Sequence, residues 1–369
     1  MSKTFTLKQL ADAVGGKLVG DGTLRIARLA HPADIMDAGD LVLAMDSKLL
    51  ALLKGGKAQA AVIASKDENA NDLPPARIVV ERPRLAMAKL TALFATPVIV
   101  KPGIHNSAVI EEDAVIGKGV CIGAQVYVGA NAVIGDECVL HPQSYVGDGA
   151  RIGNGCMIEA GAKIGAGTII GKNAMIHFNA SIGADGFSFV TPEAGSVEVA
   201  KSGGGATVTG TNTVLIRIAS LAPVILGDDV EVGANSSIDR GTIVSTRVGR
   251  GTKIDNQVQI GHNVSIGEDC MICGRTGIAG SVSIGNRVVL GGAVGVADHV
   301  TIGDDAIVMA MSAVGGNVPA RTIVGGIPAM PRDRVMEQLF NIGRLKQLYN
   351  KTNDLAHRLE KLEKNSKTD

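Results

Sequence analysis

IEEDAVIGKGVCIGAQVYVGANAVI, residues 110–134, is the stretch on which the fold turns. Its aliphatic residues fall on every sixth position: Ile110, Ile116, Ile122, Val128 and Ile134. Working outward, the period runs unbroken from Ile104 to Ile182, usually with glycine next in line, as at Gly117, Gly123, Gly129 and Gly135. It resumes at Leu226, Val232 and Ile238, slips by four residues, and continues from Val248 to Val314. Six is neither the 3.6 of an amphipathic helix nor the alternation of a plain strand. It describes a short strand, a tight corner and another strand, repeated.

Three such hexapeptides close one triangular coil of about 18 residues, and stacked coils share one aliphatic column. Successive coils stand at the ordinary strand spacing of roughly 4.8 Å. Glycine and small residues beside the inward aliphatic allow the sharp turn and the close backbone approach. The period does not fix the hand. Proteins with this hexapeptide pattern coil left-handedly, so a mostly β chain built on a left-handed parallel β-helix is expected.

Composition fits that shape. The 369 residues are 46% hydrophobic and 20% charged, with no net charge and no Trp. A narrow prism of Val, Ile and Ala has little room for rings. Charge neutrality argues against nucleic acid as a partner. No uninterrupted apolar run is long enough for a transmembrane segment. The opening MSKTFTLKQLADAV lacks a signal peptide's apolar core, which fits a cytoplasmic protein.

The five cysteines agree with a reducing compartment. Cys121, Cys138 and Cys156 are 17 and 18 residues apart, which predicts that they stand roughly one above another. Cys270 and Cys273 form a lone C-x-x-C inside the repeats and read as small buried or turn residues.

Residues 1–100 carry no six-residue period and read as a small α/β domain. Phe5, Leu7, Leu10, Ala11 and Val14 predict a helix ended by Gly15 and Gly16. Leu24–Leu29, Leu41–Leu43, Ala60–Ala64 and Ile78–Val80 read as strands, and Lys48–Leu53 and Arg84–Phe94 as helices. Pro97 and Pro102 mark the handover to the solenoid, residues 101–325. An insertion at about 184–223 interrupts the repeats. It holds Phe187, Phe189, Lys201, Arg217 and the run Gly203-Gly204-Gly205. It is either a carrier of binding groups or a loop packed on a neighbouring subunit.

The C-terminal extension, residues 326–369, reads as a helix from about Arg334 to Glu363. Leu345, Leu348, Thr352, Leu355, Leu359 and Leu362 alternate by three and four. One helix cannot bury that stripe alone, so it should pack on its own copies or on the prism. Three-sided prisms and a coiled-coil seam suggest a homotrimer.

Histidines carry the chemistry. His105, His141 and His177 are two whole coils apart, too far for one metal ion, so no metal site is expected. His262 differs. It lies in KIDNQVQIGHNVSIG among Asp255, Asn256, Gln257, Gln259 and Asn263. Gly280 falls one coil above it, and His299 two coils above and one step round. A base, a backbone donor and a second imidazole on one edge suit acyl transfer. A corner histidine with purely structural partners is the competing reading.

GADGF (183–187), VILGDDVEVGANSSIDRGT (224–242) and KIDNQVQIGHNVSIG (253–267) resemble the UDP-3-O-acylglucosamine N-acyltransferases of lipid A synthesis. The resemblance implies a homotrimeric left-handed β-helix with an N-terminal uridine-binding domain. It also implies transfer of a 3-hydroxyacyl chain from acyl carrier protein to the 2-amino group of a UDP-linked amino sugar. His262 then matches the general base. Gly280 and His299 match groups near the thioester carbonyl, and Asp255 and Asn256 match polar residues near the site. Gln259 and Phe187 join them as candidate substrate contacts. No bound cofactor is implied; the acyl-phosphopantetheine of the carrier protein is a co-substrate.

The site is expected between two chains, because Asp255 lies on a different face of the coil from His262. Met309, Met311 and Ala313, further up the same end, are candidate acyl-chain contacts. The sequence departs from the family where aromatics normally sandwich uracil: Leu43 and Leu49 stand there, with Asp46 in the place of Asn and Lys48 kept. A different nucleotide-linked amino sugar, or a trimeric scaffold without catalysis, are the alternatives.

Overall fold

The structure, a computed structural model, describes residues 3–53, 58–96, 102–202, 207, 210, 214–326 and 329–365. Pro97, Gly203, Gly204 and Gly205, and the side chain of Lys201, lie outside that description. The chain divides into two compact units, Met1–Ile99 and Val100–Asp369.

The first unit is a five-stranded sheet in the order Lys17–Val19, Ala76–Val80, Ala60–Ala64, Asp40–Ala44, Arg28–Ala30. Only the first pairing is antiparallel. Helix α1 (Leu7–Val14) starts with a capping box in which Thr6 and Gln9 satisfy each other's backbone N–H groups. It ends on Gly15 in the left-handed region at φ 70°. Leu7 and Leu10 bury against Leu41, Val62, Ile78 and Leu90. The helical turn α2 (Ser47–Leu50) is capped by Asp46, and α3 (Pro83–Phe94) begins on a proline. Strands Phe5–Thr6 and Lys17–Val19 were not legible as strands in the sequence.

The second unit is the parallel β-solenoid. Its three faces carry nine, eleven and ten strands among the described residues. Below the insertion each strand pairs with the one 18 residues on, as Val115 with Val133 and Tyr127 with Tyr145. The inward residues, among them Leu140, Ile158, Ile260 and Leu290, form one continuous buried column. The four-residue slip is a corner loop: Ile238 pairs with Ile260, 22 residues on, instead of 18.

The corners divide two tasks between two positions. Glycine directly after the inward aliphatic answers to crowding; a Cβ on Gly117 would stand 2.6 Å from the backbone carbon of Gly135. The left-handed turn itself comes two residues later, at positions such as Gly119, Asn131, Gln257, Asn263 and His299. At the position between them, acidic or amide side chains staple coil to coil. The N–H of Lys118 donates to Asp136 at 2.7 Å, and that of Ala130 to Asp148 at 3.2 Å. Asn286 donates to Asp304 at 2.8 Å.

The cysteine stack needs a correction. Cys138 and Cys156 share a corner column, but Cys121 pairs across the face with Val139, one position to the side. All five cysteines are unpaired.

The insertion forms an antiparallel hairpin of Phe189–Val190 with Ile216–Arg217, plus the short helix α4 (Ser196–Lys201). Helix α5 spans Arg332–Asn365, longer at both ends than its leucine pattern indicates. Leu345, Leu348, Leu355, Leu359 and Leu362 are 57 to 67% exposed, so within one chain the stripe is not covered by the prism. No described helix is long and apolar enough to cross a membrane.

Candidate active site

His262 follows the strand Gln259–Ile260 at a corner of the prism. It occupies the column in which Asp148 staples a lower coil. An imidazole cannot make that carboxylate bond, so this corner exchanges a structural link for a titratable ring. Neighbouring residues take over the stitching: Thr242 N–H donates to Asn263 Oδ1 at 2.7 Å, and Asn263 N–H to Thr246 Oγ1 at 2.9 Å.

Two glycines hold the ring. A Cβ on Gly280, in the coil above, would lie 2.7 Å from His262 Cε1 and 2.9 Å from Nε2. A Cβ on Gly186, in the insertion, would lie 2.7 Å from His262 Cβ and 3.0 Å from Cδ2. Gly186 is itself fixed by its N–H to Ser220 Oγ at 3.0 Å. The imidazole is therefore half-buried between two bare stretches of backbone. Its Nδ1 is shielded from solvent with no hydrogen-bond partner among the described residues.

His299 belongs to the same corner. Its N–H donates to the Gly280 carbonyl at 3.3 Å, and its backbone is left-handed at φ 60°, with the side chain exposed. His262, Gly280 and His299 thus come together. Gln259 lies one strand position before them, at the foot of a groove of about 520 Å³. That groove climbs one face past Gly277, Gly295 and Ala313. Ala313 is in its wall. Met309 and Met311 are exposed at the adjoining corner and do not line it.

One neighbour was not singled out in the sequence. Asp239, 9% exposed, ends the strand paired with Gln259–Ile260. Burial pushes its carboxyl up from the ordinary value, while the Gln259 side chain, the His262 charge and the Ser237 hydroxyl pull the other way. A signal existed. Asp239 stands where the repeat puts glycine, as Gly261 does one coil on.

Asp255 and Asn256 lie at the preceding corner, away from His262. They line a cavity of about 540 Å³ with His177, Glu231, Lys253 and Cys273. His177 Nε2 and Glu231 are 2.9 Å apart there. Both oxygens of Asp255 accept backbone N–H groups, from Asn256 at 2.7 Å and Gly274 at 2.8 Å. Asn256 accepts from Ala234 N–H at 2.6 Å. Within one chain, these two side chains join neighbouring stretches of backbone.

Phe187, next to Gly186, is 86% exposed and meets Phe189 edge to face at 5.1 Å. In the first unit, Asp46 accepts the Lys48 N–H at 3.0 Å as the cap of α2, and Lys48 is exposed. Leu43 packs against that unit's core.

Comparison with known proteins adds to this geometry. The chain matches the bacterial transferase hexapeptide model (six repeats) over residues 113–148, 131–166, 149–184 and 245–280. It also matches the hexapeptide repeat of succinyl-transferase over 223–262 and 281–310. It is 46% identical over 277 residues to UDP-3-O-acylglucosamine N-acyltransferase of Paracoccus denitrificans, covering 75% of each chain. It is 41% identical over 359 residues to the protein of that name from Syntrophus aciditrophicus, covering 97% of this chain and 93% of the relative. Among solved structures, UDP-N-acetylglucosamine acyltransferase of Francisella novicida is 25% identical, with a TM-score of 0.45 over 67% of this chain and 78% of that one.

Proposed function

Because the chain belongs to the UDP-3-O-acylglucosamine N-acyltransferase family, we propose that it acylates the 2-amino group of UDP-3-O-acylglucosamine in lipid A synthesis, with His262 as general base. The donor in this reading is a 3-hydroxyacyl thioester on the phosphopantetheine of acyl carrier protein, in the cytoplasm. The observation that carries it is the His262 ring seated between Gly186 and Gly280 at the mouth of an apolar groove.

The chemistry is balanced by one imidazole. The sugar amine attacks the thioester carbonyl carbon, a C–N bond forms, and the carbonyl electrons move to oxygen. His262 takes the amine proton. The oxyanion is met by donors at the Gly280–His299 corner, with the Gly280 amide as first candidate. Collapse then breaks the C–S bond, and the proton held on His262 goes to the departing thiolate. The thioester brings its own leaving group, so neither a metal ion nor a resident cofactor is needed. The acyl chain runs along the groove toward Ala313.

Asp255 and Asn256 enter through a second protomer. In a homotrimer, the corner that bears them on one chain faces the His262 corner of the next. The exposed leucine stripe of α5 supports such an assembly, since its own copies would cover it.

One observation favours a second acceptor. Leu43, in the place of a uracil-stacking aromatic, is packed against the core and offers no free ring face. Loss of base stacking is worth about 1–3 kcal/mol in single-strand systems. Another nucleotide-linked amino sugar is then the substrate. A thioester-consumption assay with a panel of UDP-sugars and acyl carrier proteins separates the readings. Transfer to UDP-3-O-acylglucosamine supports the first, transfer only to another sugar supports the second, and no transfer with any pair rejects both.

A further inference from the structure

Two apolar recesses begin at the His262 corner of a single chain. One is the groove above Gln259, on the solenoid face. The other lies in the insertion, a pocket of about 420 Å³ whose wall starts at Phe187, one residue from the glycine that rests on the imidazole. Phe189, Val190, Val197 and Leu215 complete its apolar lining, and Val197 and Leu215 are 63% and 62% exposed. Its polar neighbours are engaged elsewhere. Glu198 accepts the Gly195 N–H at 3.1 Å, at the start of α4. The Arg217 guanidinium sits over the Phe189 ring at 4.6 Å. What the recess presents is therefore hydrocarbon surface beside a reacting centre.

We infer that this recess receives the acyl chain that the acceptor already carries on O3. This rests on the acceptor proposed above. In that sugar, O3 and the reacting amine sit on adjacent ring carbons. With the amine at His262, the resident chain and the incoming chain leave almost the same point and need separate channels. The groove toward Ala313 continues the carbonyl side and takes the incoming chain. The insertion lies against the opposite side of the same ring, through Gly186, and takes the resident one. Selectivity for an acylated over an unacylated acceptor then comes from the insertion, at about fourfold in affinity per methylene buried.

The test measures binding apart from turnover. In a His262→Ala background, calorimetry compares UDP-3-O-acylglucosamine with UDP-glucosamine, with and without Val197→Asp and Leu215→Asp. The expected result is a fall of tenfold or more in the advantage of the acylated ligand, with UDP-glucosamine affinity unmoved. An unchanged advantage overturns the inference. With His262 intact, the same substitutions should move the preferred acceptor chain length and leave the donor profile alone. A moved donor profile would give the recess to the incoming chain and overturn the assignment. So would dissociation of the variants into single chains, which would make this surface a subunit contact. An unsubstituted protein that acylates no UDP-3-O-acylglucosamine speaks against the proposed reaction itself. One that does so while the variants behave identically speaks against the recess alone.

Discussion

Gly280 leaves the His262 imidazole just enough room: a side-chain carbon on residue 280 would stand 2.7 Å from Cε1. No pair of carbons packs that closely, and the coil backbone above is hydrogen-bonded on both sides, so the ring must move. Gly280→Ala should therefore lower kcat/KM by tenfold or more with the fold intact. Gly316 stands two coils higher in the same column with open space around it. Gly316→Ala should leave turnover and melting temperature unchanged. Equal turnover in both variants would remove ring placement from the account.

Asp239 gives a pH-dependent prediction. Its folded carboxyl titrates above the ordinary value, chiefly because it is buried. A raised folded pKa contributes stability at low pH, below the unfolded value, and that contribution is lost as pH rises through the folded value. At pH 7–8, then, Asp239→Asn relieves a buried charge. Its melting temperature should equal or exceed that of the unsubstituted protein, with the difference shrinking toward pH 4. Activity should fall, since the charge beside His262 is gone. Thermal melts across pH and a pH–rate profile check both halves. A variant that melts lower at pH 8 would contradict the assigned shift.

The solenoid was legible because a strict period fixes the inward residue and the coil length together. Ile260 and Ile278 pair as their spacing of 18 requires. The column of His262 and Gly280 followed from the same count. What the count cannot reach is a segment with no period. Gly186 lies 76 positions before His262 and meets it only through the folded insertion. Asp239 was legible in principle as a carboxylate in a glycine slot, but SSIDRGT reads first as a family block. Met309 and Met311 were placed by chain position alone. The corner geometry turns them away from the groove that Ala313 lines.

That groove has a small-residue wall, so its depth is open to change. Ala313→Met adds a long side chain at its upper end and should shorten the preferred acyl chain by several carbons. Donor chain-length profiles measured with acyl carrier protein thioesters read this directly. An unaltered profile would show that the transferred chain does not reach residue 313.

The aliphatic column itself sets stability. Leu140 is fully buried, between coils that pair it with Ile122 and Ile158. Leu140→Ala should cost about 2–5 kcal/mol, the range for emptying a packed core position. Denaturant unfolding of the solenoid checks it. A cost below about 1 kcal/mol would mean that the coils close over the gap.

The account stands on the His262 imidazole as the group that takes the amine proton. The most direct measurement is single-turnover acyl transfer by His262→Ala beside the unsubstituted protein, with sedimentation to follow assembly. The predicted result is an unchanged assembly and a rate lower by about 10²–10⁴-fold, the contribution typical of a positioned acid–base group. Near-normal transfer by the variant would contradict it.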